Sequence, residues 1–448
     1  MKFFQNISIA LVFFGVQNVH ALSSGSMYLQ DTSFSSLLEE HSSELTFHQG
    51  QITGADSLIR AGQASKVFMF GENHGVREIA RFADLLYTKL SANRPRVLVT
   101  EIGPATAEEV ALLVRENRFE AFMRKRTNLH AVPFFFLEQE VPLLKSAVSQ
   151  FDSTGFTAVW GLDQEFIAGA PVVLNRLEKL ATTKEEIKAV RVAKRKAFFN
   201  PFLIGMGSGQ ALEDLREAFR ESTSARAKRI TDQLVLSHDI YKKQMGDDPK
   251  WSNERRETLM MENFLHYHHS TGDSLPDLFL KFGSFHLHKG KSPTVQEALG
   301  FRIHQWAKDQ GWKTTSLMVD AVSGQTLDPL MGGKKELPSV SQWQKSPFYS
   351  VIKDQPVLFD LRTIKGHPEV KTLPRRMQIM IAGYDFLVLF PEATAQNFLE
   401  GTLVTHAYGI ALIIGIVLVL SLIIYFIVRW VKKRRRNRRK ADAISSPQ

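Results

Sequence analysis

Short apolar runs recur along the chain, separated by stretches of helical spacing. The runs Lys66–Phe70, Arg96–Thr100, Thr157–Trp160, Leu278–Phe282, Thr314–Val319 and Asp385–Phe390 hold their apolar residues consecutively, not in alternation. Such runs suit strands covered on both faces. After Gly75, apolar positions 79, 82, 83, 86 and 90 keep the period of one helix face. Pro104, with Glu108 and Glu109 close behind, predicts the start of another helix. The stretches 184–200 and 210–245 are long, charged and amphipathic. They predict a helical insertion, spanning about 170–270, that lids a site. Region 325–375, rich in Pro, Gly and Lys, reads as irregular loops. Strand, helix, strand, helix in this order predicts an α/β domain over 22–400, with a largely parallel central sheet flanked by helices.

Two segments outside that domain concern address. Residues 1–21 read as a secretory signal: Lys2 is the charged start, Ile7 to Val16 is a ten-residue apolar core, and Val19-His20-Ala21 ends in a small residue. Residues 407–428 are uncharged throughout. At 1.5 Å per residue they cover roughly 33 Å, enough to cross a bilayer core. This predicts one C-terminal transmembrane helix. The basic run from Arg429 to Lys440 follows at once, so 429–448 is expected to be a cytoplasmic tail near anionic lipid headgroups. The expected protein is a single-pass bacterial inner-membrane protein with its domain in the periplasm or outside the cell.

Charge supports this division. The 448 residues carry a formal net charge of +10, which on its own suggests nucleic acid. Nine of the 56 basic residues lie between Arg429 and Lys440, and one is Lys2. The body keeps 46 basic residues against 45 acidic ones. No nucleic-acid face is expected. The cysteine count is zero, which excludes disulfides, cysteine–zinc sites and thiol nucleophiles. An exported domain of this size without cysteine suits a bacterial periplasm.

Three of the apolar runs end in polar groups that a buried strand does not need. One enters Gly71-Glu72-Asn73-His74-Gly75, one enters Glu101, and one enters Gly283-Ser284-Phe285-His286-Leu287-His288. A fourth delivers Gly161-Leu162-Asp163. In a parallel sheet the ligand crevice lies beyond the carboxyl ends of the strands, so these groups are expected to converge. Histidine can take a proton from water, and a neighbouring carboxylate fixes its tautomer. Two histidines and a carboxylate can equally hold a divalent metal. His286 and His288 are both candidates, because alternation along a strand would put them on one face. His266, His268 and His269 read as an exposed helix face.

At these residues the chain resembles the superfamily of erythromycin esterase-like, ChaN-like and TIKI/TraB proteins. Gly71-Glu72-Asn73-His74, Glu101 and Gly283-Ser284-Phe285-His286 match its first turn, second strand end and late Gly-x-x-His. The erythromycin esterase branch looks closest: Gly75-Val76-Arg77-Glu78, Trp160-Gly161-Leu162-Asp163, the helix string Arg256 to Asn263, and Gly383-Tyr384-Asp385-Phe386 follow its order. Two departures stand out. The first motif is one residue shorter than is usual in that branch, and Gly283-Ser284 replaces its His-Asn. The resemblance implies a hydrolase that attacks an ester or amide carbonyl of a small-molecule or peptide substrate with activated water. His74 would be the general base, Glu101 its orienting partner, Glu72 a buttress, His286 the acid or oxyanion partner, and Arg256 a stabiliser of negative charge. No cofactor is expected in that reading. The alternatives are a TIKI-like metal-dependent protease, with His74, Glu101 and His286 on a divalent metal ion, and a ChaN-like haem- or iron-binding protein.

Overall fold

The computed structural model describes residues 32–399 and 415–433, apart from 49, 126–130, 152–157, 273–274, 291–294, 296, 328–332, 338–342 and 345. The strands are β1 (Ser42–Glu44), β2 (Thr46–His48), β3 (Gln51–Thr53), β4 (Val67–Glu72), β5 (Arg96–Thr100), β6 (Val159–Gly161), β7 (Asp277–Gly283), β8 (Thr314–Ala321), β9 (Gln325–Leu327), β10 (Lys334–Glu336), β11 (Val357–Asp360) and β12 (Phe386–Phe390). Eight form one sheet in the order β1-β11-β12-β8-β4-β7-β5-β6. Every pairing from β12 to β6 is parallel, and β1 and β11 join antiparallel at one edge. The two hairpins β2–β3 and β9–β10 stand apart from it.

The sheet is α/β and largely parallel, as the unalternated runs imply. Every residue of β4, β5, β6 and β12 is buried, because helices cover both faces. The helix Arg77–Ser91 turns Ile79, Phe82, Ala83, Leu86 and Leu90 into the core, where Phe82 meets Phe70 and Phe70 stacks on Phe279. The helix Pro104–Arg115 begins on its proline, and buried Glu165 accepts hydrogen bonds from Ala105 N at 2.8 Å and Thr106 Oγ1 at 2.6 Å.

The insertion consists of helices Ala170–Leu180, Lys184–Phe199, Gln210–Ala218, Ala225–Met245 and Pro249–Thr271. It has its own core around Val173, Leu177, Val190, Leu215, Phe219 and Ile230. The stretch 210–245, expected as one helical pattern, is two helices. Ser224 caps the second by accepting from Ala227 N at 3.2 Å.

Region 325–375 differs from expectation. It holds β9, β10, the edge strand β11 and short helical turns, not loops alone. Strand β11 has four residues preceded by a proline, too short to carry a pattern of its own. Its pairing with β12 supplies the order (Val357 opposite Leu389).

The apolar helix Gly415–Lys433 is long enough to cross a membrane, and its described side chains are mostly exposed. Residues 407–414 of the expected span, the 1–21 signal and most of the 429–448 tail lie outside the described residues.

Candidate active site

The strand order brings the polar ends together. β7 lies between β4 and β5, and β6 follows β5. The sequence-distant turns after β4, β5, β6 and β7 therefore share one carboxyl edge. Glu72 lies opposite Gly283 in the register, so the His74 turn and the His286 turn start level with each other.

Glu101 is the centre. His74 Nε2 lies 3.4 Å from its Oε2, and His286 Nε2 lies 3.4 Å from its Oε1. The same carboxylate accepts from Gly283 N at 2.8 Å and from Arg256 Nη2 at 2.7 Å. Each histidine is held from behind by a second carboxylate. His74 Nδ1 sits 2.9 Å from Glu72 Oε1, and His286 Nδ1 sits 2.5 Å from Glu257 Oε1. Both rings thus turn Nε2 towards Glu101, an orientation fixed by the outer carboxylates. Phe134 covers the His74 ring, with centroids 4.5 Å apart.

Arg256 and Glu257 reach the edge from the helix Pro249–Thr271. Arg256 forks onto Asp163, with Nε 2.8 Å from Oδ1 and Nη2 2.5 Å from Oδ2, while Nη2 also serves Glu101. Glu257 spends its other oxygen on Leu299 N at 2.7 Å. A buried ion cluster lies behind Glu72: Lys281 Nζ is 2.6 Å from Glu72 Oε1 and 2.9 Å from Glu140 Oε2. Gln396 Nε2 donates to Glu140 Oε1 at 2.9 Å.

Electrostatics follow from this packing. Burial alone would raise the pKa of Glu101, but the facing His286 and His74 outweigh it and hold the carboxyl well below the usual range. Burial would lower His74, but its hydrogen bonds to Glu101 and Glu72 push it up to about 9. His286 is pushed up to about 10, where the charges of Glu257 and Glu101 overcome burial. In Glu72 burial is opposed by Lys281 and His74, and the net effect is a lowered pKa. Glu140 goes the other way: burial dominates, and the neighbouring Glu72 adds to it.

His288 is not at this site. Residues 284–286 form a 3-10 turn, so strand alternation does not apply, and His288 points behind the edge. There its Nε2 lies 2.8 Å from the Ile379 carbonyl, its Nδ1 accepts from Gly290 N at 3.0 Å, and its ring meets Tyr384 edge-on. The structure thus gathers His74, Glu101, His286, Glu72 and Arg256, and leaves His288 out. It adds Glu257, Asp163, Lys281 and Glu140. Lys281 had a signal in the sequence, a lone charge inside the apolar run Leu278–Phe282. Glu140 had none.

The likenesses to known proteins are likenesses of fold. No family model matches the chain, and no curated protein matches it. A Bacillus cereus protein of solved structure aligns over 83% of this chain and 100% of its own, with TM-score 0.56 and 15% identity. A succinoglycan biosynthesis protein aligns over 82% of this chain and 98% of its own, with TM-score 0.56 and 9% identity. An erythromycin esterase mutant in its open conformation aligns over 77% and 95%, with TM-score 0.48 and 10% identity. The chain therefore shares its fold with the first two solved structures over nearly their whole length.

Proposed function

We propose that this chain is a membrane-anchored hydrolase that uses water, activated between His74 and Glu101, to attack an ester or amide carbonyl. The observation that carries the reading is the pair of histidines whose Nε2 atoms face one ionised carboxylate, each ring backed by its own acid. In this mechanism His74 Nε2 takes a proton from water as the water oxygen bonds to the carbonyl carbon. His286, protonated, faces the oxygen on which negative charge gathers. The proton then passes to the leaving oxygen or nitrogen as its bond to carbon breaks. Glu101 and Glu72 hold the His74 ring, and Arg256 holds Glu101 in place through its 2.7 Å hydrogen bond.

The base must be neutral to act. With His74 at about 9, about one molecule in a hundred has that form at pH 7. The proposed hydrolase is therefore an alkaline one. The apolar 407–428 segment and the basic residues behind it support anchoring, with the domain facing the periplasm and the C-terminus in the cytoplasm.

The rival reading keeps the residues and makes His74, Glu101 and His286 ligands of a divalent metal in a protease. The carboxylate-backed Nε2 atoms favour it. Against it, the Arg256 guanidinium already serves Glu101. The test is hydrolysis of ester and peptide panels by the full-length protein and by His74→Ala, with metal analysis alongside. The proposal expects a loss of about 10²–10⁴-fold in the variant and wild-type activity that survives chelator. Stoichiometric metal whose removal abolishes activity would replace it with the metal reading.

A further inference from the structure

One helix of the insertion ends in exposed aromatic residues. Phe198 and Phe199 close the helix Lys184–Phe199 at 66% and 76% exposure, and Phe202 follows at 39%. Lys188, Arg191, Val192 and Arg195 precede them, all exposed, at spacings of three and four that put them on one helix face. Lys194 and Lys196 pair with Glu178 and Asp214. Among the described residues, Lys188, Arg191 and Arg195 have no acidic partner. A basic face ending in exposed phenylalanines matches the side chains that settle helices into the headgroup region of anionic membranes.

Its place in the fold gives this a direction. The turn after the helix lies against the segment that leaves β6: Gly205 packs on Ile167, four residues beyond Asp163. The turn that follows the aromatic tip thus packs on the segment that leaves the carboxyl edge of the sheet. The chain leaves the domain at the same edge. After β12 it runs along the His74 turn, with Gln396 N on the Gly75 carbonyl at 2.9 Å and Arg77 N on the Thr394 carbonyl at 2.8 Å, and Leu399 N then bonds the Phe136 carbonyl. Only seven residues separate Leu399 from the uncharged run at 407. Fully extended, that link spans under about 30 Å.

We propose that Phe198, Phe199 and Phe202, with Lys188, Arg191 and Arg195, rest in the headgroup region of an anionic bilayer, the one the chain's own C-terminal helix crosses. The domain is then held at two points, tether and tip, with its carboxyl edge and candidate active site turned to the lipid surface. This rests on the anchoring part of the proposed function and not on the hydrolase part.

The absence of cysteine makes a direct test possible. Phe199→Cys, Val419→Cys and Arg220→Cys each give one attachment point for a polarity-sensitive fluorophore. The first lies at the tip, the second in the apolar helix, and the third on an exposed turn of the insertion. Full-length protein is placed in vesicles of phosphatidylglycerol and phosphatidylcholine, with and without brominated lipid. The expected result is a blue shift and bromine quenching at 199 and 419, and neither at 220. The shift at 199 should shrink in phosphatidylcholine alone or at high salt. A probe at 199 that behaves like the one at 220, with 419 quenched, overturns the proposal and leaves anchoring intact. An unquenched probe at 419 overturns anchoring and the proposal together.

Discussion

Gly283 donates its backbone N–H to Glu101 at 2.8 Å, and it does so from the middle of the site. A β-carbon built on it would lie 3.0 Å from His74 Nε2 and 3.5 Å from Glu101 Oε2. Its φ of −54° is open to any residue, so the glycine is there for space and not for conformation. Gly283→Ala should therefore fold, but with a lowered melting temperature, because His74 must shift away from the new methyl group. It should lose about 10²-fold in kcat/KM, the scale of an ångström's displacement of a reacting group. Steady-state kinetics and a melting curve on the same sample check both halves.

The pH dependence is the sharpest consequence of the electrostatics. In the free protein His74 must lose its proton, at about 9, and His286 must keep its own, up to about 10. The profile of kcat/KM should rise to about pH 9 and fall above about pH 10. A plateau from pH 6 to 8 would reject His74 as the base.

Stability carries the same signature with its own sign. Both histidines have folded pKa values above the unfolded value of about 6.5. Their contribution is therefore fully present below pH 6.5 and is lost as pH rises through about 9 and about 10. Glu101 is depressed, so its contribution is present at neutral pH and is lost as pH falls below the ordinary carboxylate range. The wild-type melting temperature should fall between pH 7 and 10, and the fall should be smaller in His286→Gln.

Arg256 links two acids from two strand ends, Asp163 at 2.5 Å and Glu101 at 2.7 Å. Removing it takes from buried Asp163 the cation it pairs with, and leaves Glu101 facing only His74 and His286. Arg256→Ala should cost about 3–5 kcal/mol, as for other broken buried pairs. Arg256→Lys keeps the charge but cannot fork, so it should recover part of the stability and little of the activity. Urea melts of the three proteins read the first effect, and kinetics read the second.

The parallel core of the fold was legible in the sequence because burial on both faces leaves apolar runs unbroken; β5 lies where Arg96–Thr100 predicts it. The antiparallel edge was not. β11 has four residues and takes its order from β12, and β1 has three residues and pairs with β11 from the far end of the domain, Ser42 opposite Phe359. The site residues on strand ends were legible by the same logic, since polar groups after apolar runs mark a sheet's carboxyl edge. The choice between His286 and His288 was not. It depends on the chain leaving β7 in a 3-10 turn, and Gly-Ser-Phe-His does not announce the change of period. Glu257 was hidden beside Arg256, since adjacent helix residues point about 100° apart and only one is expected at a given site. Glu140 lay unmarked in Glu138–Glu140, where three polar residues begin a helical stretch.

Lys281 shows how the buried charges hold one another. It stands between Glu72 and Glu140 with 5% of its side chain exposed, and the two acids push its pKa up to about 12 against burial. Without it, the two carboxylates would face each other across a buried space, with Glu140 already raised by burial and by Glu72. Lys281→Met keeps the length and the apolar stem, so its cost isolates the charge. The expected loss is about 3–5 kcal/mol. Glu72 would also lose the cation that helps keep it ionised, weakening its grip on His74 Nδ1. Adding Glu140→Gln removes the like-charge pair and should recover part of the stability, by a non-additive amount that a double-mutant cycle reads directly. It should recover less of the activity, because Glu72 would still lack its lysine. Additivity of the two changes would mean that the three charges do not act as one cluster, and that Glu72 holds His74 without help from behind.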